Sequence, residues 1–134
     1  MIIIDYYNEI KEGLINNEII KRAKDYSKNK SDLNTYYEVG KMLSSAGKHY
    51  GEGIINKYSV KLVKEVDKKY NVTNLKRYRQ FYYMIEKGAP LGHQLTWSHY
   101  CELLPIKDIN KNNNYISQII KFNLSKHQIR DKIM

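Results

Sequence analysis

Apolar residues recur along this chain at intervals of three and four, so the periodicity is helical. Tyr6, Ile10 and Leu14 predict a first helix over Asp5 to Ile15, with Gly13 as a weak point or turn. A long helix is expected from about Asn17 to Ser45, its apolar face traced by Ile19, Ile20, Ala23, Tyr26, Leu33, Tyr36, Tyr37, Gly40 and Leu43. The polar run Ser27 to Asp32 would bend or split it, and Gly47 would end it. Ile55, Tyr58, Leu62 and Val66 mark a third helix over Ile54 to Lys69. Leu75, Tyr78 and Tyr82, flanked by Phe81 and Ile85, mark a fourth over Thr73 to Lys87, with Thr73 as its N-cap. Residues 88–94 (GAPLGHQ) are aperiodic and read as a loop. A fifth helix follows, capped by Thr96 or Ser98 and stopped before Pro105. Asp108 caps a sixth, which runs through Tyr115, Ile116, Ile119 and Ile120. Phe122 to Leu124 form a turn, and Ser125 with Gln128 is a capping box for the last helix.

The pattern predicts an all-α fold, a helical bundle of about six to seven helices. The last three, joined by short turns, have the lengths of a helix-turn-helix-like C-terminal half in which the final helix would be the reader. A small bundle with a short last helix gives the same pattern.

Charge divides the chain in two. The net charge is +9, but residues 1–67 carry 11 cations and 10 anions, whereas residues 68–134 carry 12 and 4. Lys, Asn, Ile and Tyr supply 62 of 134 residues, a compositional bias that inflates Lys everywhere. That bias does not explain why acids thin out after Glu65 and Asp67. Clustered cations favour a polyanionic partner. We therefore read residues 1–134 as a single domain, with a long-helix assembly part over about 1–47 and a basic helical part over about 48–134. No apolar run reaches the roughly 18 residues of a membrane span. One cysteine, Cys101, leaves no internal disulfide and points to the reducing cytoplasm.

The densest candidate chemistry lies at TNLKRYRQFYY, residues 73–83, where Lys76, Arg77 and Arg79 flank the apolar stripe of one helix. Such a helix suits phosphate contact, and it also resembles many solvated helices. Asn74 and Gln80 are residue types that read adenine edges, although capping and surface roles are commoner. Trp97 is more often a core anchor than a base-stacking platform. Ser98 and His99 follow it at a helix start, where free N–H groups attract phosphate. Lys126 and Arg130 lie on the final helix. The segment 48–53 lacks the spacing of a phosphate loop and reads as an interhelical turn. Glu9-Ile10-Lys11 and Asp67-Lys68-Lys69 match only half of a PD-(D/E)xK pattern and fall in helical stretches, so no catalytic residues are expected. His49, His93, His99 and His127 are scattered without ligand spacing, so neither a metal nor a cofactor is expected.

The motifs YYEVGKML (36–43), HYGEGIINKYS (49–59), NLKRYRQFY (74–82), LTWSHYCELL (95–104) and NLSKHQIR (123–130) together resemble the YhcG-like family, over about residues 30–134. The likeness is to that family's N-terminal domain, which precedes a PD-(D/E)xK nuclease domain and accompanies restriction-modification genes. It implies an all-helical, helix-turn-helix-like domain for DNA binding or assembly, with catalysis elsewhere. The positions that match include Tyr37, Gly40, Gly51, Asn74, Arg79, Gln80, Trp97, Ser98, His99, Ser125 and Arg130. Val72-Thr73 departs from the aromatic-Ser pair of relatives, and the family's nuclease would begin where this sequence ends, at Met134.

The resulting expectation is a non-catalytic DNA-binding module. Its nucleic-acid contacts would come from Asn74, Lys76, Arg77, Arg79, Gln80, Trp97, Ser98, His99, Lys126 and Arg130. Further partners would be a second copy, through the helix Asn17–Ser45, and a nuclease domain or subunit, with no membrane. The alternative is an interaction scaffold that does not touch nucleic acid.

Overall fold

The computed structural model describes residues 5–23, 28–92 and 94–134, with the backbone alone for residues 22, 23, 28 and 29. These residues form seven helices and no strand: α1 (Tyr6–Ala23), α2 (Lys28–Tyr50), α3 (Gly53–Glu65), α4 (Val72–Glu86), α5 (Trp97–Leu103), α6 (Ile109–Phe122) and α7 (Lys126–Ile133). The fold is an all-α bundle, as the periodicity predicts.

Helix α2 is its axis and packs chiefly against α4 and α1. Leu33, Tyr36, Val39, Leu43 and Ala46 repeat at three and four residues and are buried. Gly40 lies in the same face. A Cβ there would stand 2.1 Å from the Tyr78 carbonyl oxygen and 2.9 Å from the Tyr82 Cβ, so the α2 and α4 backbones touch at this point. A glycine costs a helix about 1 kcal/mol relative to alanine. Here that cost permits the Tyr36 and Tyr78 rings to stack with centroids 4.3 Å apart.

Helix α1 buries Tyr6, Tyr7, Ile10 and Leu14, each aliphatic contributing about 1.5–3 kcal/mol. Asn17 is also buried, and its amide is satisfied. Nδ2 donates to the Asp32 carboxylate at 2.9 Å, and Oδ1 accepts from the Ser31 hydroxyl, tying α1 to the start of α2.

Several boundaries differ from the sequence reading. Gly13 is neither a turn nor a break: α1 runs through it, because four well-spaced core residues outweigh one glycine. The helix Asn17–Ser45 is two helices, divided between Ala23 and Lys28, beside the polar run named above. Tyr26 lies outside the described residues. Ile19 and Ile20 are exposed rather than part of a core face. Gly47 does not end α2. Gly51 does so, with φ of +88° and its N–H donating to the Gly47 carbonyl at 2.8 Å. The third helix stops at Glu65, short of Lys69. Beyond it the Asp67 carboxylate accepts from the Lys69 N–H at 2.9 Å, a side-chain turn that competes with helix. Asn71, not Thr73, caps α4, accepting from the Asn74 N–H at 3.0 Å.

Candidate nucleic-acid interface

Helix α4 presents three sides. Leu75, Tyr78, Phe81 and Met84 face the core. Lys76, Arg77 and Gln80 are exposed. Arg79 is directed elsewhere: Nη1 donates to both oxygens of Glu52, at 2.7 and 2.9 Å, and its side chain is only 16% exposed. It joins α4 to the α2–α3 turn, so its charge already has a partner. Asn74 is also occupied. Its Nδ2 donates to the Lys69 carbonyl at 2.6 Å, closing the turn before α4, and its Oδ1 accepts from Arg77 at 3.4 Å.

Helix α5 is positioned by its cap. Thr96 Oγ1 accepts from the His99 N–H, and His99 Nδ1 accepts from the Thr96 N–H at 3.0 Å. That second bond fixes the proton on Nε2, which donates to the Leu124 carbonyl at 2.8 Å. His99 therefore couples the start of α5 to the α6–α7 turn. Trp97 packs on Tyr36, Tyr78 and Phe81, with ring centroids 4.9, 5.5 and 5.2 Å away, so most of the indole belongs to the core. Of this trio only Ser98 is exposed. The loop before α5 is held by Tyr100, a buried residue whose hydroxyl donates to the Pro90 carbonyl at 2.9 Å and accepts from the Gly92 N–H at 3.2 Å. His93 lies outside the described residues.

Helix α7 starts at the Ser125–Gln128 capping box, after Asn123 turns the chain with φ of +51°. Ile129 is its buried anchor. Lys126, His127 and Lys132 are exposed, whereas Arg130 Nε donates to Glu102 of α5 at 3.1 Å. The Arg130 hydrogen bond, reinforced by Lys126 and His127 nearby, holds the Glu102 carboxyl below its usual range.

Around α5 two of the expected contact elements meet. The Cys101 thiol feels both Arg77 from α4 and Lys126 from α7, while burial pushes it up to about 11. It is a structural thiol, and at neutral pH about one molecule in ten thousand carries the thiolate. The structure thus sets Arg130 against Glu102 of α5 and leaves Arg77, Lys126 and His127 exposed on α4 and α7, the helices that pack on α5. It leaves Lys76 and Gln80 on the outer side of α4, turns Arg79 to Glu52, and sends Trp97 inward. Of the twelve Lys and Arg after residue 67, three are held in ion pairs among the described residues: Lys69 to Glu18, Arg79 to Glu52 and Arg130 to Glu102. The partners of Arg79 and Arg130 lie 27 and 28 residues away, a separation that helical periodicity does not reveal.

The half-matching PD-(D/E)xK runs lie on helix and turn. Ile10 is core, Asp67 closes a turn and Lys69 pairs with Glu18. Among the described residues, no three His, Cys, Asp or Glu side chains stand together as a metal site would require. Nor, among them, is any helix long and apolar enough to cross a membrane.

Fold and surface together define a small all-helical bundle with a cation-bearing C-terminal half. Its sequence belongs to a known family: the model of the DUF1016 N-terminal domain matches residues 14–134, so the chain is a member of that YhcG-like family of unknown function. Neither the curated proteins nor the solved structures gave a match.

Proposed function

We propose that this domain is a non-catalytic DNA-binding module of the cytoplasm that serves a PD-(D/E)xK nuclease-type partner in restriction or DNA processing. The observation that carries the reading is the exposure of Arg77, Lys126 and His127 on α4 and α7, the two helices that pack on α5, in a half of the chain with 12 cations and 4 anions. Phosphates of a duplex would meet Lys76, Arg77 and Lys126 first, and Ser98 lies between these elements in sequence. Contacts of this kind set register without specifying bases. Helices α5 to α7 act in this reading as a helix-turn-helix-like unit with α7 as reader. The nuclease association rests on the family resemblance alone.

The test is fluorescence anisotropy against duplex and branched DNA across a salt series. Four phosphate contacts predict an affinity loss of roughly 10²-fold between 50 and 200 mM salt. Lys76→Ala, Arg77→Ala and Lys126→Ala together should flatten that slope, and Arg79→Ala should not. An absence of binding at low salt would reject the proposal.

A second reading has its own support. Ile20 is 43% exposed and lines a groove of about 280 Å³ with Gly13, Val39 and Met42. Here the domain is a scaffold, pairing through α1 and α2 with a second copy. Light scattering at high concentration decides it: a monomer that Ile20→Lys leaves unchanged removes self-pairing.

A further inference from the structure

Helices α2 and α4 meet at the surface as well as in the core. The Tyr83 hydroxyl shares a hydrogen bond of 2.8 Å with the hydroxyl of Ser44, a buried residue. The ring is thus tied to α4 at its Cβ and to α2 at its tip, so it lies across the seam between them. It is nevertheless 39% exposed, and because the tip is occupied the accessible part is the flank of the ring. Lys41 and Lys48 stand three residues before and four after Ser44, and Gln80 and Lys87 stand in the same places about Tyr83. Residues at those spacings share a helix face, so each helix brings its pair to the side on which the bond is made. Gln80, Tyr83 and Lys87 also line one recess with Lys107 of the α5–α6 link. All four lysines are exposed, and none stands in an ion pair among the described residues. The neighbouring carboxylates are turned elsewhere. Glu86 accepts from the Tyr37 hydroxyl, Glu52 is held by Arg79, Asp108 caps α6 and Glu38 lines the groove toward α1.

Cations without counter-charges around one aromatic ring are the parts of a surface for single-stranded nucleic acid. Lysines meet the backbone there, and the ring offers a π surface to whichever base lies over it. In a duplex the bases cover one another and have no free face to offer, and an acidic peptide would leave the ring unused. We infer that the α2–α4 seam binds an unpaired DNA strand, with one base stacked on Tyr83 and the phosphates on either side of it met by separate lysines. The inference rests on the DNA-binding reading for the class of partner, but not on the residues assigned there to a duplex. Lys41 and Lys48 belong to residues 1–67, where charge is nearly balanced, so composition does not announce them.

The test is fluorescence anisotropy of the purified chain with a short thymidine strand, an abasic strand of the same length, a duplex and a polyglutamate peptide. The thymidine strand is expected to bind at least about five-fold tighter than the abasic one, from stacking of one base on an aromatic ring. Tyr83→Leu should remove that difference, and Tyr83→Phe should keep it. Lys41→Ala with Lys48→Ala, both exposed positions, should lower the salt slope by about 1.4, at about 0.7 for each single-strand phosphate contact. Equal binding of the two strands would reduce the seam to a cationic surface and overturn the inference. So would tighter binding of polyglutamate, a base preference that survives Tyr83→Leu, or indifference to the lysine pair. Should Tyr83→Leu fail to fold, the two strands on the unaltered chain and the lysine pair decide the matter. Loss of strand binding in Arg77→Ala with Lys126→Ala, but not in the lysine pair, would place the strand on α4, α5 and α7 and overturn the inference. Duplex binding without strand binding would overturn it too, and would leave the DNA-binding reading standing. Strand binding without duplex binding would support it and remove the duplex contacts.

Discussion

The contact between α2 and α4 and the contact between α5 and α7 are built from opposite materials. The first is backbone against backbone at Gly40, sealed by the Tyr36–Tyr78 stack. The second rests on Ile129 and on polar clasps, His99 to Leu124 and Arg130 to Glu102. Close apolar packing tolerates little change in volume, whereas polar clasps at a surface each contribute about 1 kcal/mol and answer to pH and salt. The α2–α4 pair is therefore expected to be the rigid support. The α5–α7 pair is expected to be the part whose geometry can be adjusted without unfolding the rest.

Gly40→Ala should have the largest effect. With the new methyl driven into the Tyr78 carbonyl, a destabilisation of about 3 kcal/mol is expected in urea unfolding. A loss below about 1 kcal/mol would mean the two helices separate easily, and the contrast would collapse. His99→Ala should cost less, about 1–2 kcal/mol, from the lost cap and the stranded Leu124 carbonyl. Hydrogen exchange sharpens the point: protection should fall in α7 and hold in α2. Uniform loss across both helices would show the halves to be one cooperative unit.

Acid should act later and more gently. Because the folded Glu102 carboxyl is held low by Arg130, the unfolded chain takes up the proton first as pH falls. The stabilisation is complete above about pH 4.5 and fades as pH drops through the lowered folded value. Glu65 follows the same sign, held low by the hydrogen bond from Tyr7 and by Lys11. Amide chemical shifts of α7 should move in this window, and Glu102→Gln should abolish that movement. The smallest effect is kinetic. With its thiol at about 11, Cys101 should resist alkylation at pH 8 in the native fold. Rapid labelling would mean α5 is loosely held.

Much of the fold was legible because its signals are local. Asp108 and the Ser125–Gln128 box announce their caps within three residues and cap where the sequence reading set them, and of the two candidates Thr96 and Ser98 it is Thr96 that caps α5. The α1 and α2 boundaries were misread because two glycines, Gly13 and Gly47, carry a turn signal that tertiary packing overrides. Thr73 is a good capping residue too, yet Asn71 wins: the Asn74 amide reaches back to Lys69 and starts the helix earlier. At the candidate interface, residue type identified the cations but not their partners. Nothing near Arg79 in the sequence points to Glu52, and nothing near Arg130 points to Glu102. Those relations exist only once the helices are stacked.

The pairing of Arg79 with Glu52 and of Arg130 with Glu102 has a thermodynamic corollary. The counterions that a salt dependence counts are condensed on the nucleic acid, and they leave as its phosphates are neutralised. A phosphate that meets an arginine already offset by a carboxylate meets a nearly neutral pair, so few of its ions leave and the contact is nearly silent in a plot of log K against log salt. A count of ions released would then fall short of the count of cations touching the ligand by as many as two, one for each arginine paired within the chain.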